Sequence, residues 1–199
     1  YCDISRRGFY RKELFADSSF GVSQHLKFSP YSLRLKAGYL VADNHFITAS
    51  IATEAAACEE ENLFLQSQYN NRTIANPAMR SAYNGEVRYI FQKQNIAVST
   101  TLFLSAELND TQVRHLYDDL SGEYADIVTS RTNTLCYGLE VEAEYRFADH
   151  FRATAATTIG RYAYATNSAI TIYTDASNIL WADHIESRTK GLSIGNAPQ

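Results

Sequence analysis

No stretch of the 199-residue chain holds eighteen consecutive apolar residues, so no segment reads as a transmembrane helix. Cysteine is scarce: Cys2, Cys58 and Cys136 lie far apart, leave an odd count and form no CxxC or Cys/His ligand spacing. Neither a disulfide framework nor a zinc site is expected. Positive charge is not in excess. A net charge of -4 and a pI near 5.7 give no basic field, which argues against a nucleic-acid binder that works by neutralising phosphates. Nucleophile elbow, Walker loop, dinucleotide fingerprint, HExxH and EF-hand patterns are all missing. The chain is therefore not read as an enzyme, and no catalytic residue, cofactor or metal is expected. It starts at Tyr1 without a signal-like segment, which reads as a start removed by processing or truncation.

What is present is a surplus of strand-forming aromatics, 14 Tyr and 10 Phe against one Trp and one Met. They sit in segments of period-two alternation. In YSLRLKAGYLVA, from Tyr31 to Ala42, Leu33, Leu35, Ala37, Tyr39 and Val41 alternate with Arg34, Lys36, Gly38 and Leu40. After Asp43 and Asn44 the alternation resumes with Ile47, Ala49 and Ile51 opposed to Thr48, Ser50 and Glu54, which predicts a hairpin with a two-residue turn. The arrangement repeats in GEVRYIF, turning near Lys93 to Asn95 into IAVSTTLFLSAEL, with Val87, Tyr89, Phe91, Val98, Leu102 and Leu104 in the apolar rows. It repeats again in LCYGLEVEAEYRF, where Leu139, Val141, Ala143, Tyr145 and Phe147 oppose Glu140, Glu142, Glu144 and Arg146, before a turn at Asp149 and His150 and the return strand FRATAATTIGRYAY.

Tight turns near 43, 94 and 149 are separated by stretches of low alternation at 55 to 82, 110 to 131 and 166 to about 185. These are far longer than the usual connection of about 4 to 6 residues. Outer-membrane barrels alternate short periplasmic turns with long external loops in this way. Aromatics gather around the turns: Tyr39 and Phe46, Tyr89 and Phe91, then Tyr145, Phe147 and Phe151, where rings at headgroup level are expected. Charges in mid-strand then face a wet lumen. The carboxylate row Glu140, Glu142, Glu144 reads as lumen wall ahead of an acid-base or cation site, and the five histidines as surface residues. Glu59, Glu60, Glu61, Asp118 and Asp119 fall in external loops, where a solvated charge run is preferred over Ca²⁺ ligation. The N-x-T triplets at Asn71 and Asn109 read as chance matches.

The order of segments resembles the barrel domain of TonB-dependent receptors. NNRTIANPAMRSAYNGEVRYIF is similar to a family loop that ends in an asparagine-rich run before a Gly/Glu strand, here Asn70, Asn71, Gly85 and Glu86. NDTQVRHLYDDLSGEYADIVTS resembles an acidic, aromatic loop, with Tyr117, Asp118 and Asp119, that leads into a G-x-E strand at Gly138, Leu139 and Glu140. RRGFYRKELFADSSFGVS and the closing GNAPQ resemble an earlier loop and the introduction of the next strand, while CEEENLFLQSQYN departs from the family in lacking a proline. The resemblance implies a barrel of about 22 strands around a plug, of which this chain is one partial barrel domain, truncated at both ends and without the plug. It further implies energised uptake of a small-molecule or oligomeric nutrient (a metal chelate, glycan or peptide), with the plug, the TonB motor complex and a surface lipoprotein as partners.

The expected fold is therefore all-β: an antiparallel transmembrane β-barrel fragment of roughly six to eight strands, each of about 10 to 14 residues, in the outer membrane of a Gram-negative bacterium. Arg34, Lys36, Arg88, Glu140, Glu142 and Glu144 are expected to face the lumen. Leu33, Leu35, Ile47, Ile51, Val98, Leu102, Leu104, Leu139 and Val141 are expected to face membrane lipid. A small passive pore or adhesin and a soluble carbohydrate-binding β-sandwich are the alternatives, and no nucleic acid is expected as a partner.

Overall fold

The computed structural model describes residues 1–11, 22–65, 72–120, 122–148, 151–174 and 180–195. Eleven strands and one 3₁₀ turn follow one another: β1 Cys2–Ile4, β2 Arg7–Phe9, β3 Leu26–Phe28, β4 Tyr31–Ala42, β5 His45–Ala56, the turn Glu60–Asn62, β6 Arg80–Lys93, β7 Ile96–Asp118, β8 Glu123–Ala148, β9 Phe151–Tyr164, β10 Ala169–Thr174 and β11 Leu180–Glu186. No α-helix occurs among the described residues, and no helix is long and apolar enough to cross a membrane. β2 and β3 form a ribbon of their own. The other nine make one antiparallel sheet in the order β1-β4-β5-β6-β7-β8, with β9 on the lower half of β8 and β10, then β11, on its upper half.

The alternation in the sequence sets the sheet directly. β4 and β5 pair residue against residue from Tyr31↔Ala55 to Leu40↔Phe46, around a turn in which Asn44 takes φ 72, a left-handed conformation that Asn tolerates better than most residues. Lys93↔Ile96 closes the next two-residue turn. The third turn, at Asp149 and His150, lies outside the described residues, as do Asn70, Asn71, most of the FYRKELFADSSFGVS segment and the last four residues of the chain.

Two expectations change. Residues 110–131, read as a long loop, are strand for most of their length: β7 and β8 run on beyond β6 and β9, paired with each other up to Asp118↔Glu123, with β10 alongside β8. The stretch after residue 166 likewise contains β10 and β11. Low alternation hid them because both faces of these extensions mix apolar and polar residues, so no face is uniformly greasy. β4 and β9 do not pair with each other, and the sheet is open among the described residues.

The hydrophobic core does not lie on the regular part of the long sheet. It lies beyond its upper end, where Leu26, Phe28, Cys58, Leu63 and Phe64 cluster with Phe9 and Met79, and where Leu65, Ile74 and Val128 pack with Val113 and Tyr173. Leu63 and Phe64 are fully buried, each contributing about 1.5 to 3 kcal/mol. Asn62 ties this cap to β7 by accepting the Val113 N–H at 2.8 Å, and the Arg11 guanidinium lies 4.4 Å from the Phe64 ring centroid. The molecule is thus a single-layer sheet with a compact cap at one end.

Candidate functional site

Ladder register assigns every long-strand residue to one of two faces. Leu33, Leu35, Ile47, Ile51, Val98, Leu102, Leu104, Leu139 and Val141 all fall on one of them, joined by Ala37, Ala49, Val87, Ala143, Ala155 and Ile159. Arg34, Lys36, Arg88, Glu140, Glu142 and Glu144 all fall on the other, with Ser50, Asn84, Glu86, Ser99 and Thr101. The apolar face is uncovered: Leu35 is 52% exposed, Ile51 59%, Leu102 60% and Ile159 71%. Soluble monomers rarely leave a contiguous apolar patch of such extent.

Rings bound that face above and below. Tyr31 and Tyr39 on β4, Tyr83 and Phe91 on β6, and Tyr137 and Tyr145 on β8 are three pairs eight residues apart. Tyr83 pairs through Thr53 with Leu33, two residues beyond Tyr31, and Tyr137 pairs through Leu104, Gly85 and Ile51 with Leu35, four residues beyond Tyr31. Both rows therefore step one residue per strand. With a rise of about 3.4 Å and a strand spacing of about 4.8 Å, that stagger makes a line through the rings horizontal when the strands tilt by about 35°. Eight residues at that tilt span about 22 Å. Between the rows the apolar face carries no Asp, Glu, Lys or Arg, and the first charges on it, Arg161 and Lys93, are level with Tyr137 and Tyr145. Sequence reading found rings only near the turns. It missed Tyr31, Tyr83 and Tyr137, although the repeated spacing of eight was there to find.

On the polar face, register brings Arg88, Ser99 and Glu142 together across three strands. Arg88 Nη2 donates to Glu142 Oε2 at 2.8 Å and to Ser99 Oγ at 2.8 Å, and Ser99 Oγ donates to the same carboxylate at 3.0 Å. Glu144 receives Arg146 at 2.8 Å and lies 3.8 Å from Arg152. Arg34 and Lys36 sit on β4, far across the sheet from the acidic row. With Arg88 40% and Glu142 59% exposed, the pair contributes about 0 to 1 kcal/mol, so its effect is to orient side chains on this face more than to hold the fold.

A second site, absent from the sequence reading, lies in the cap. A cleft of ≈ 210 Å³ opens there, with buried Ile74, Thr111, Val128 and Thr171 in its floor and Asn76, Asn109, Arg131 and His184 at its exposed rim. These four rim residues all have positive φ, at 49, 61, 56 and 50. The only other described non-glycine residue with positive φ is Asn44, in its hairpin turn. Three of the four occupy bulges: register shifts at Glu107/Asp110 and Asp110/Gln112 bracket Asn109 and Arg131, and another between Ile170 and Ile172 brackets His184. A bulge re-aims a side chain at the end of a regular ladder, and a left-handed Arg or His costs about 1 to 2 kcal/mol. His184 Nδ1 and Thr171 Oγ1 both donate to the Asp183 carboxylate. The Tyr173 phenol, also lining the cleft, is pushed above its ordinary value by burial and then by Asp183, partly opposed by Arg72, so it stays protonated as a donor. Beside it, His115 Nδ1 contacts the buried Asp126 at 2.5 Å. No group of three or more His, Cys, Asp or Glu able to hold a metal ion occurs among the described residues.

Comparison with protein-family profiles, with characterised proteins and with solved structures finds no match for the chain.

Proposed function

We propose that the chain is the capped segment of an outer-membrane β-barrel, with the six long strands β4 to β9 crossing the bilayer, their apolar face against lipid and their polar face toward an aqueous lumen. The observation that carries this reading is the charge-free, exposed apolar band between two staggered aromatic rows. Its height of about 22 Å and the implied tilt of about 35° match the band of about 25 Å and the strand tilt of about 35 to 45° of such barrels. A soluble sandwich would lay a second sheet about 10 Å from this face, and none lies there among the described residues.

An unpaired strand edge is costly in hydrocarbon. Six crossing strands are fewer than the eight of the smallest bacterial barrels, so closure takes strands from outside these 199 residues, which disfavours a small pore closed by this chain alone. The motif order that resembles TonB-dependent receptors, together with a folded cap over one barrel end, supports a receptor for energised nutrient uptake. The plug, the motor complex and a surface lipoprotein belong to that reading as partners.

Depth-dependent quenching tests the placement. In a Trp181→Phe background, the full chain is bound to phospholipid vesicles brominated on the acyl chains, with a single tryptophan at Leu102→Trp or at Glu140→Trp. These neighbours, on strands paired to each other, occupy opposite faces at one level. Strong quenching at 102 and weak quenching at 140 is expected. Equal quenching, or a chain that stays monomeric in water and ignores the vesicles, overturns the proposal.

A further inference from the structure

The cap cleft combines features that sheet geometry alone does not require. Four left-handed backbone positions converge on one opening, and the two that are not asparagine, Arg131 and His184, carry strain of the kind that persists at functional sites because the surrounding structure holds it in place. The bulges aim an amide at Asn109, a guanidinium at Arg131 and an imidazole at His184 toward the same space, over the hydroxyls of Thr111 and Thr171. Arg131 has no ion-pair partner among the described residues, and no described lining residue is acidic. The nearby carboxylate of Asp183 is engaged by His184 Nδ1 and by Thr171.

Hydroxyls and amides suit a ligand that both donates and accepts hydrogen bonds at many points, which a polyol does. Tyr173 also lines the cleft, and an aromatic ring offers an apolar surface for a ligand's C–H groups. The rim guanidinium adds recognition of a carboxylate by paired N–H donors.

We infer that this cleft is a binding site for a small hydroxyl-rich carboxylate of the acidic-sugar class, with Arg131 reading the carboxylate and Asn109, Thr111 and Thr171 reading the hydroxyls. The inference extends the proposed receptor reading by naming a ligand class for its cap, while the cleft itself is built from the loop 74–78 and the strand ends beyond the aromatic rows.

The test uses saturation-transfer NMR on the full chain in detergent micelles, with glucuronate and glucose as probes. Arg131→Asn removes the cation and keeps a residue type that accepts positive φ. Thr171→Val removes a hydroxyl from the floor, and Glu86→Gln on the distant polar face is the control. Glucuronate should give saturable transfer and glucose a clearly weaker one. Arg131→Asn should weaken glucuronate by about tenfold or more, the scale of a lost charge-assisted hydrogen bond, and Thr171→Val should weaken both sugars. Circular dichroism matching the parent shows that each variant is folded. No saturable transfer from either sugar, glucose binding as well as glucuronate, or Arg131→Asn binding like the parent overturns the assignment. The two readings fail separately: sugar binding by a chain that ignores lipid removes the barrel and keeps the cleft, whereas lipid insertion without sugar binding does the reverse.

Discussion

Replacing Leu102 by arginine separates a lipid-covered face from a water-covered one more sharply than any other single change. Leu102 pairs through Val87 and Ala49 with Ala37, six residues beyond Tyr31 on the ladder. At one residue of stagger per strand, the midpoint between the aromatic rows on β7 falls seven residues beyond that reference, so Leu102 lies about 3 Å along the strand from the centre of the band. Its side chain is 60% exposed. If water covered it, Leu102→Arg would cost within about 0.5 kcal/mol, as surface substitutions do. If hydrocarbon covers it, the cost near the midplane is about 2 to 4 kcal/mol. Urea release of the chain from phospholipid vesicles, followed by far-ultraviolet circular dichroism, reads the difference. At a slope of about 2 kcal/mol/M the midpoint should fall by about 1 to 2 M. Glu140→Arg, beside it on the polar face, should leave the midpoint nearly unchanged. A Leu102→Arg midpoint equal to that of the parent would refute the reasoning, because the aromatic rows would then bound a surface that water tolerates.

Two further outcomes follow from the same sheet and cap. A Cβ at Gly138 would stand 2.4 Å from the Ile159 carbonyl oxygen, 2.7 Å from Gly160 Cα and 2.8 Å from the Phe103 ring, whereas one at Gly85 meets nothing within 4 Å. Gly138→Ala should therefore lower the same urea midpoint by an amount equal to about 1 to 3 kcal/mol, with Gly85→Ala close to neutral, and equal midpoints would contradict the close approach of β8 and β9. Burial pushes the Cys58 thiol above its ordinary value, an effect that Asp110 reinforces and that a hydrogen bond with Thr111 and the charge of Arg80 partly oppose. A thiol whose folded pKa is raised stabilises the cap fully below the unfolded value and loses that contribution as pH rises through the folded one. Cap stability, followed by proteolysis of the loop that carries Leu63 and Phe64, should fall above about pH 9 in the parent and not in Cys58→Ala.

Much of the sheet was legible because period-two patterning has one consequence only: in YSLRLKAGYLVA a shift of one residue would exchange Leu35 for Lys36 on the greasy side. The same logic placed Arg88 opposite in face to Val87 and Glu142 opposite to Val141. The strand extensions beyond residue 110 carried no such contrast. Val113, His115 and Tyr117 share a face, as do Asp126 and Val128 across from them, so apolar and ionisable residues alternate along a face instead of between faces. That mixture fits a ribbon covered partly by the cap and partly by water, and it conceals a strand from any rule based on alternation.

The cleft was illegible for a different reason. Asn109, Arg131 and His184 lie far apart in sequence and share no motif, and what unites them is a fault in the ladder at each position. Regular pairing can place side chains only on two faces, at fixed intervals. A left-handed residue in a bulge escapes that grid, at a cost in backbone energy. The aromatic rows show the opposite behaviour: they obey the grid so closely that one residue of stagger per strand recurs from β4 to β8. Left-handed residues are thus absent from the stretch of the strands between the aromatic rows, where repetition suffices to cover a uniform surface, and gather above it, where β7, β8 and β11 leave the ladder to surround one space. That division is the expected one when the sheet serves as a wall and the cap serves to recognise a molecule.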